Sequence, residues 1–169
     1  GRSSEEDAKN LLKRIIVTEN TTDLSDCDLI IEAVFEDRKL KAGVTNETEA
    51  VIPEHAIFAS NTSTIPITGL AEESKRPQQF IGLHFFSPVD KMKLVEIIVG
   101  KETNNETLAK AYDYVLQIRK TPIVVNDSRG FYTSRVFTTY VLEGIALLAE
   151  GQNPRAIESA GLQAGMPVG

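Results

Sequence analysis

Short apolar runs alternate with helical patterns along the first three quarters of the chain, and this alternation constrains the fold more than any other feature. Each run is rich in isoleucine, leucine, valine and phenylalanine, which is typical of strands buried inside a parallel sheet. The runs lie at residues 28–35, 56–60, 80–86, 94–99 and 122–125. Strands that alternate with helices predict an α/β architecture in which helices cover the sheet.

The segments between these runs show apolar residues at helical spacing. Ser3 and Glu6 form the pattern of a capping box, which predicts the start of a first helix. Further helices are predicted at 37–50, 65–71 and 106–118. In the last of these we expect four side chains to face the core, namely Leu108, Tyr112, Val115 and Leu116.

After residue 126 the pattern becomes wholly helical. Residues 131–149 predict one long helix, and Pro154 marks the start of another. The apolar stripe of the long helix consists of Phe137, Val141, Ile145 and Leu148. We therefore expect α/β layers followed by the start of an all-helical part.

Composition and charge exclude several classes of protein. The formal net charge of −6 argues against nucleic acid as a partner, because binding to phosphate backbones requires a basic surface. No apolar stretch approaches the roughly 20 residues of a membrane span. The lone Cys27 excludes a disulfide framework and favours a reducing, cytoplasmic location, and two histidines leave little room for a metal centre.

Polar side chains follow three of the predicted strands. In an open α/β sheet, ligands bind at the carboxyl ends of the strands. Glu36 follows the first strand, Asn61 and Ser63 follow the second, and the third reaches His84. These positions predict one polar crevice. The alternative for residues 61–64 is that they only cap the next helix.

His84 is the strongest candidate for chemistry. Residues 87–91 form a turn-like segment, and a hairpin centred near Asp90 would place Glu96 directly opposite His84, within interacting distance. A carboxylate that holds one imidazole nitrogen fixes the tautomer and leaves the other nitrogen as a base near neutral pH. The alternative is a histidine that is satisfied within the core.

The other candidates carry weaker signals. His55 is expected at the surface, and Cys27 is expected to be a small, half-buried side chain. Lys41 belongs either to a solvated helix face or to the rim of the crevice, where it would reach a phosphate or ribose. Ser134 shares the inward face of the long helix with Val141 and is either a core serine or a substrate contact.

Five short motifs follow one another at residues 32–36 with Lys41, 60–64, 82–88, 93–96 and 130–135. In this order and at these intervals they resemble the L-3-hydroxyacyl-CoA dehydrogenase family of fatty-acid β-oxidation. The stretch from Asn126 to Phe131 is closer to the dehydrogenase part of the multifunctional fatty-acid oxidation complex α subunit. The resemblance implies a partial Rossmann-like, doubly wound sheet. Residues 1–126 would form an NAD-binding domain and residues 127–169 the beginning of a helical substrate and dimerisation domain.

The resemblance also implies roles for single residues. His84 matches the catalytic base and Glu96 the carboxylate that orients it. The substrate would contact Ser63, Asn61 and Ser134. The cofactor NAD would contact Val34, Phe35, Glu36, Lys41, Ser63 and Ser87. Ser87 and Ser134 stand where the family usually has asparagine, so the contacts there have a shorter reach.

One feature of the family is missing. A Gly-x-Gly-x-x-Gly turn binds the NAD pyrophosphate, and none of the eleven glycines lies two positions from another. By resemblance, we expect an N-terminal βαβ portion of roughly 50 residues and most of the helical domain to be absent. The chain alone would then bind NAD weakly and turn over little. The parent protein would oxidise (3S)-3-hydroxyacyl-CoA, as a homo-oligomer or in a complex with a thiolase.

Two other functions stay open at this point. A β-hydroxyacid dehydrogenase that acts on a non-CoA acid with a lysine base would not need His84 paired with Glu96. A non-catalytic scaffold or oligomerisation module would fit the missing glycine turn, whereas an intact histidine–carboxylate pair speaks against it.

Overall fold

The computed structural model describes residues 4–166 and 168–169. Within these residues, five strands form one sheet in the order β1-β2-β3-β4-β5. The strands are β1 (Leu29–Glu32), β2 (Ile57–Ser60), β3 (Phe80–Phe85), β4 (Leu94–Val99) and β5 (Thr121–Asn126). The predicted strands are confirmed, although β1 is shorter than its apolar run.

The direction of the strands changes once across the sheet. The first three strands run parallel to one another, β4 runs antiparallel to β3, and β5 runs parallel to β4. Helices cross between the parallel strands, whereas β3 and β4 are joined by a short turn, which allows an antiparallel pair. The carboxyl ends of β1, β2 and β3 therefore lie side by side at one edge of the sheet.

The helices largely follow the predicted segments. They are α1 (Glu5–Leu12), α2 (Arg38–Glu49), α3 (Ile67–Ala71), α4 (Asn105–Gln117), α5 (Tyr132–Ala149) and α6 (Pro154–Gln163). Short 3₁₀ turns lie at Thr21–Leu24 and Pro77–Gln79. The capping box predicted at Ser3 lies outside the described residues, and the structure has one formed by Ser4 and Asp7.

Two apolar clusters cover the two faces of the sheet. One face packs against α4 and contains Ile57, Ala59, Ile81, Leu83, Val95, Ile97, Ala111 and Val115. The other packs against α3 and the start of α5 and contains Phe58, Ile67, Leu70, Ala71, Phe80, Ile98 and Phe131. Alternate residues of each strand point to opposite faces, so both faces need helical cover. The expected α/β sheet with helices on both faces is confirmed.

The inner face of α4 differs from the predicted one. Thr107, Ala111 and Val115 are buried, whereas Tyr112 and Leu116 are 39% and 50% exposed. Residues four positions apart stack along one side of a helix, so the buried stripe is 107, 111 and 115. The prediction that Tyr112 and Leu116 face the core was wrong.

The long helix α5 packs against α6 and keeps much of its apolar stripe open. The stripe residues Phe137, Val141, Ile145 and Leu148 are 39–56% exposed. Ser134 is only half-buried, so the expectation that it faces inward with Val141 is met in part. Among the described residues, no helix is long and apolar enough to cross a membrane.

Candidate active site

The carboxyl ends of β1, β2 and β3 are joined by hydrogen bonds from Asn61. Its backbone N–H donates to the carbonyl of Glu32 at 2.8 Å. Its side-chain Oδ1 accepts the backbone N–H of Phe85 at 2.8 Å. The three strand ends that were expected to share a crevice are therefore linked through one residue, and part of the Asn61 side chain already has a partner.

His84 and Glu96 form the pair that the hairpin pattern predicted. They are directly opposite each other in the register of β3 and β4. His84 Nδ1 lies 2.7 Å from Glu96 Oε2. Both residues are buried, with Glu96 fully so. The register follows from the turn between the two strands, because the positions 84 and 96 are equally distant from its centre.

A second hydrogen bond holds the other oxygen of Glu96. The backbone N–H of Thr133, in the first turn of α5, donates to Glu96 Oε1 at 2.8 Å. Burial opposes ionisation, but the hydrogen bonds from His84 and Thr133 outweigh it, so the pKa of Glu96 lies below its ordinary value. Glu96 is therefore a carboxylate near neutral pH. Because the Glu96 carboxylate can only accept a hydrogen bond, His84 Nδ1 must carry a proton. In the neutral imidazole this leaves Nε2 as the basic nitrogen.

The imidazole of His84 lies among aromatic rings. The ring of Phe86 is 4.5 Å from it and that of Phe131 is 6.0 Å, measured between centroids. Nε2 has no hydrogen-bond partner among residues 4–166 and 168–169. Within that set, Thr133 Oγ1 is the one side-chain polar atom that is both fully buried and without a partner. His84 Nε2 also lacks a partner, and it is therefore not fully buried but accessible to solvent or a ligand.

Glu36 organises the segment that follows β2. Its Oε1 accepts the backbone N–H groups of Ser63 at 3.0 Å and Thr64 at 3.2 Å, and also the hydroxyl of Thr62. Burial raises the pKa of Glu36, whereas these hydrogen bonds and the charge of Lys41 lower it. The lowering effects together are larger, so the pKa of Glu36 lies below its ordinary value. Glu36 is thus ionised and fixes residues 62–64, so Ser63 lies at the crevice.

Lys41 is not on a solvated helix face, so that interpretation was wrong. It is only 2% exposed and lies on the inner side of α2. Its Nζ donates to Glu32 Oε1 at 2.9 Å and to the carbonyl of Val34 at 3.2 Å, and it is 3.3 Å from Glu36 Oε2. Whether it also contacts a cofactor stays a prediction.

The remaining site candidates are at least partly exposed. Val34 is 36% exposed and Phe35 87% exposed, which offers apolar area at the end of β1. Ser63 and Ser87 are exposed. Ser134 lines an open groove of 590 Å³ together with Thr64, Arg129, Gly130, Arg135 and Thr138.

These residues fit one part of an NAD molecule. The exposed side chains of Val34 and Phe35 suit a planar ring, and they stand beside the segment held by Glu36. The turn that would cradle the pyrophosphate is absent from this sequence, because no glycine lies two positions from another.

His55 and Cys27, the weaker candidates of the sequence, lie where they were predicted to lie. His55 is on the surface, as predicted, where its Nε2 contacts Asp28 Oδ1 at 2.9 Å. Cys27 is half-buried, also as predicted. No cluster of metal-ligating side chains occurs within the described part of the chain.

Several residues of the site lie within the sequence motifs, but the sequence predicted no role for them. Glu32 and Ser60 are buried behind the crevice and bonded to each other at 2.7 Å. Thr133 and Phe131 approach His84 and Glu96 from the start of α5. The position of Glu32 as a charged residue inside an apolar run could have indicated that it is buried and paired. Nothing in the spacing pointed to Thr133.

A sheet covered by helices on both faces, with a carboxylate-held histidine beside the ends of its parallel strands, is the arrangement of an α/β enzyme domain that binds its ligand at the carboxyl ends of the strands. The sequence model for "3-hydroxyacyl-CoA dehydrogenase, NAD binding domain" matches residues 1–128. The chain therefore belongs to the 3-hydroxyacyl-CoA dehydrogenase family.

Individual relatives agree with this assignment. A fatty acid oxidation complex subunit alpha of Shewanella halifaxensis is 44% identical over 160 residues, which is 95% of this chain and 23% of that protein. The (S)-3-hydroxybutyryl-CoA dehydrogenase of Ralstonia eutropha matches with a TM-score of 0.94 and 36% identity, over 99% of this chain and 60% of that one.

A third relative is the 3-hydroxybutyryl-CoA dehydrogenase of Escherichia coli K12, with a TM-score of 0.94 and 34% identity. The match covers 100% of this chain and 36% of that one. The chain thus spans less than two thirds of the length of these relatives, and only 23% of the curated subunit alpha.

Proposed function

We propose that the protein oxidises (3S)-3-hydroxyacyl-CoA to 3-oxoacyl-CoA with NAD⁺, as part of fatty-acid β-oxidation. The observation that carries this proposal is the 2.7 Å contact between His84 Nδ1 and Glu96 Oε2 at the carboxyl ends of the strands. Membership of the 3-hydroxyacyl-CoA dehydrogenase family supports the choice of substrate and cofactor.

His84 acts as the general base in this reaction. Its Nε2 accepts the proton of the 3-hydroxyl group, and the resulting imidazolium is stabilised by the Glu96 carboxylate. Val34, Phe35 and Ser63 would hold NAD⁺, which would supply the acceptor for the hydride that leaves carbon 3. The phenyl rings of Phe86 and Phe131 beside the imidazole limit the access of water to it. In the reverse direction the same nitrogen returns its proton to the carbonyl oxygen.

Residues around the base position the reactants. Ser63 and Asn61 direct the substrate oxygen towards His84, and Ser134 contacts the substrate from α5. The cofactor side is formed by Val34, Phe35, Glu36, Ser63 and Ser87, with Lys41 behind them. The hydrogen bonds from residues 62–64 to Glu36 and from Phe85 to Asn61 support these placements, because they hold both sides of the crevice.

The division of the chain follows the change in architecture. Residues 1–126 form the NAD-binding domain, and residues 127–169 begin a helical domain for substrate and dimer contacts. The last strand ends at Asn126 and the elements after it are α5 and α6, which supports this boundary. We expect the chain alone to show no NAD binding at micromolar concentrations, because contacts to the pyrophosphate are missing.

The setting of the reaction is a further part of the proposal. The name of the Shewanella relative refers to a complex, and we propose that this protein also works in a multienzyme complex with a thiolase, or as a homo-oligomer. A cytoplasmic location is consistent with the single free Cys27.

The test replaces His84 by glutamine in the protein at its natural full length. His84→Gln should lower kcat at least 100-fold, within the range for a general base, while the Kd for NAD stays within about twofold. His55→Gln is the matched control and should leave turnover unchanged, because His55 is on the surface. Unchanged turnover in His84→Gln would overturn the proposal.

Substrate choice is tested in the same assay. The wild-type protein should reduce NAD⁺ with 3-hydroxyacyl-CoA and not with the free 3-hydroxy acid. Faster turnover of a free hydroxy acid would favour a β-hydroxyacid dehydrogenase of the non-CoA kind. Binding to other chains without turnover of either substrate would favour a scaffold.

A further inference from the structure

The connection between β3 and β4 begins beside the candidate base. Phe86 is its first residue, and the Phe86 ring lies 4.5 Å from that of His84 between centroids. Ser87 follows, and it is one of the proposed cofactor contacts. The paired positions of the two strands end at Phe85 and Val95, so strand pairing does not fix the residues between them. The conformation of this connection therefore determines what surrounds His84.

Residues 88–92 of this connection form one helical turn at the surface. The backbone N–H groups of Lys91 and Met92 both donate to the carbonyl of Pro88 at 3.0 Å. The carbonyls of Val89 and Met92 have no backbone donor among residues 4–166 and 168–169. Carbonyls at the end of a helical turn find no partner within the turn, so they require a donor from another part of the chain.

Lys120 supplies this donor. Its Nζ donates to the carbonyl of Val89 at 2.5 Å and to that of Met92 at 2.7 Å. Hydrogen bonds from a charged donor are stronger than those from a neutral one, although water competes for them at an exposed site. Across the described part of the chain, these two are the only hydrogen bonds that join residues 87–92 to another segment. One ammonium group thus tethers the connection to the start of β5.

The end of α4 fixes the position of Lys120. The N–H of Arg119 donates to the carbonyl of Leu116 at 2.9 Å, and that of Lys120 donates to the carbonyl of Val115 at 3.1 Å. These two bonds form a Schellman motif, which ends a helix with a residue of positive φ. Arg119 has a φ of 60°, which costs a residue other than glycine energy and persists where the surrounding structure requires it. Because Val115 is fully buried in the core, Lys120 starts from a fixed point.

We propose that Lys120 is a positioning residue, which holds the turn of residues 88–92 and thereby fixes Phe86 and Ser87 beside His84. Ser87 directly precedes the turn, so a shift of the turn moves it. The part of this inference that concerns NAD rests on the proposed function, since Ser87 is a contact only if NAD binds there. The tethering of residues 88–92 is a property of the protein alone.

The first experiment measures the tether without a cofactor. Hydrogen exchange of a peptide that spans residues 86–93 is followed by mass spectrometry, in the protein at its natural full length. Lys120→Met retains the apolar stem of the side chain and removes both donated bonds. The N–H groups of Lys91 and Met92 should then exchange about fivefold faster, because the turn opens more often. Wild-type exchange in this variant would overturn the proposal, whatever the protein catalyses.

Lys110→Met is the matched control for this measurement. Lys110 is a lysine of α4 whose Nζ lies 2.8 Å from a carboxylate oxygen of Glu106 at the surface. Its replacement should leave exchange at 86–93 unchanged. Equally fast exchange in Lys110→Met and Lys120→Met would overturn the proposal, because the effect would then not belong to Lys120.

Two further variants at the same position make the test independent of how well Lys120→Met folds. Lys120→Arg retains the charge and the donors, so its exchange should stay within about twofold of the wild type. Lys120→Gln removes the charge and shortens the side chain, so its exchange should be about threefold faster. Wild-type exchange in Lys120→Gln would overturn the proposal.

The second experiment separates positioning from a merely structural role. The strands and Thr133 hold His84 and Glu96, so Lys120→Met should leave kcat within about twofold, while the KM for NAD rises about fivefold through Ser87. Lys120→Arg should return this KM to within about twofold of the wild type.

The opposite pattern of kinetic constants would contradict positioning. A variant that is only less stable loses active protein, which lowers kcat and leaves the KM for NAD unchanged. That result would overturn the proposal. Absence of turnover in the wild type would instead overturn the proposed function, and the exchange experiment would still decide whether Lys120 holds the turn.

Discussion

The backbone N–H of Thr133 donates a hydrogen bond to Glu96 Oε1 at 2.8 Å, so the carboxylate that orients the candidate base is held by the first turn of α5. The positive end of a helix dipole favours a carboxylate at this position. The orientation of His84 therefore depends on where α5 begins as well as on the pairing of β3 with β4. A displacement of α5 would reach His84 through Glu96.

The first prediction concerns the charge of Glu96. Glu96→Gln retains the size of the side chain but removes the carboxylate that stabilises the imidazolium. We expect kcat to fall roughly 100-fold or more, with the KM for substrate within about threefold, because the loss arises in the transition state. Steady-state kinetics of the full-length protein measure both constants.

The control for this variant is Glu106→Gln. Glu106 is an exposed residue whose carboxylate pairs with Lys110 along the surface of α4. Its kinetics should match the wild type. Equal activity of Glu96→Gln and the wild type would contradict the role given to Glu96.

The second prediction is a dependence of stability on pH. The pKa of Glu96 is lower in the folded protein than its unfolded value of about 4.3, so its contribution to stability is present above that pH and is lost as the pH falls through the folded pKa. Urea unfolding at pH values from 5 down to 3 should show the wild type losing stability more steeply than Glu96→Gln. Both proteins share the other titrating groups, so parallel curves would refute the prediction.

The third prediction concerns the segment that leads into α5. Asp127 accepts the backbone N–H groups of Ile67 and Thr68, each at 2.8 Å, and so caps α3 from a distant part of the chain. Asp127→Ala should lower the free energy of unfolding by about 1–2 kcal/mol, the usual value of such a cap. Asp127→Asn retains one acceptor oxygen and should lose less. Chemical denaturation measures both, and an unchanged midpoint for the alanine variant would show that the cap contributes nothing.

The fourth prediction compares two glycines. A Cβ at Gly82 in β3 would lie 2.8 Å from side-chain atoms of both Ile67 and Ile98, so Gly82→Ala should destabilise the protein by about 1–3 kcal/mol. A Cβ at Gly43 in α2 would meet nothing within 4 Å. Gly43→Ala should therefore stabilise by about 0.5–1 kcal/mol, through helix propensity. Thermal unfolding of the two variants should shift in opposite directions, and equal shifts would contradict the packing described for β3.

Features with a local cause were predictable. The strands and helices appeared at the expected places because side-chain periodicity reports which faces become buried. The contact of His84 with Glu96 was also predictable, because the turn between β3 and β4 determines how these two strands pair. The inner face of α4 was mispredicted because Tyr112 and Leu116 are apolar enough to suggest burial, and only the packed sheet shows which stripe it covers.

Features that depend on distant residues were not predictable. Lys41 is buried because it pairs with Glu32 in β1 and with Glu36 in the segment after β1. In the sequence, Lys41 lies on a helix rich in charged residues, and that pattern predicted an exposed side chain. Thr133 meets Glu96 across 37 positions of sequence, and Asp127 meets Ile67 across 60. Neither separation corresponds to a periodicity.

By itself, the sequence determined the order of strands and helices and the opposition of one histidine and one glutamate across a turn, because these follow from local geometry and from hydrophobic periodicity. The tertiary structure alone decided that Lys41 lies inside the protein and that α5 holds Glu96. The physical reason is that a buried charge or hydrogen bond is satisfied by whichever partner the packing of separate elements brings within 3 Å or so, and no pattern along the chain specifies that partner.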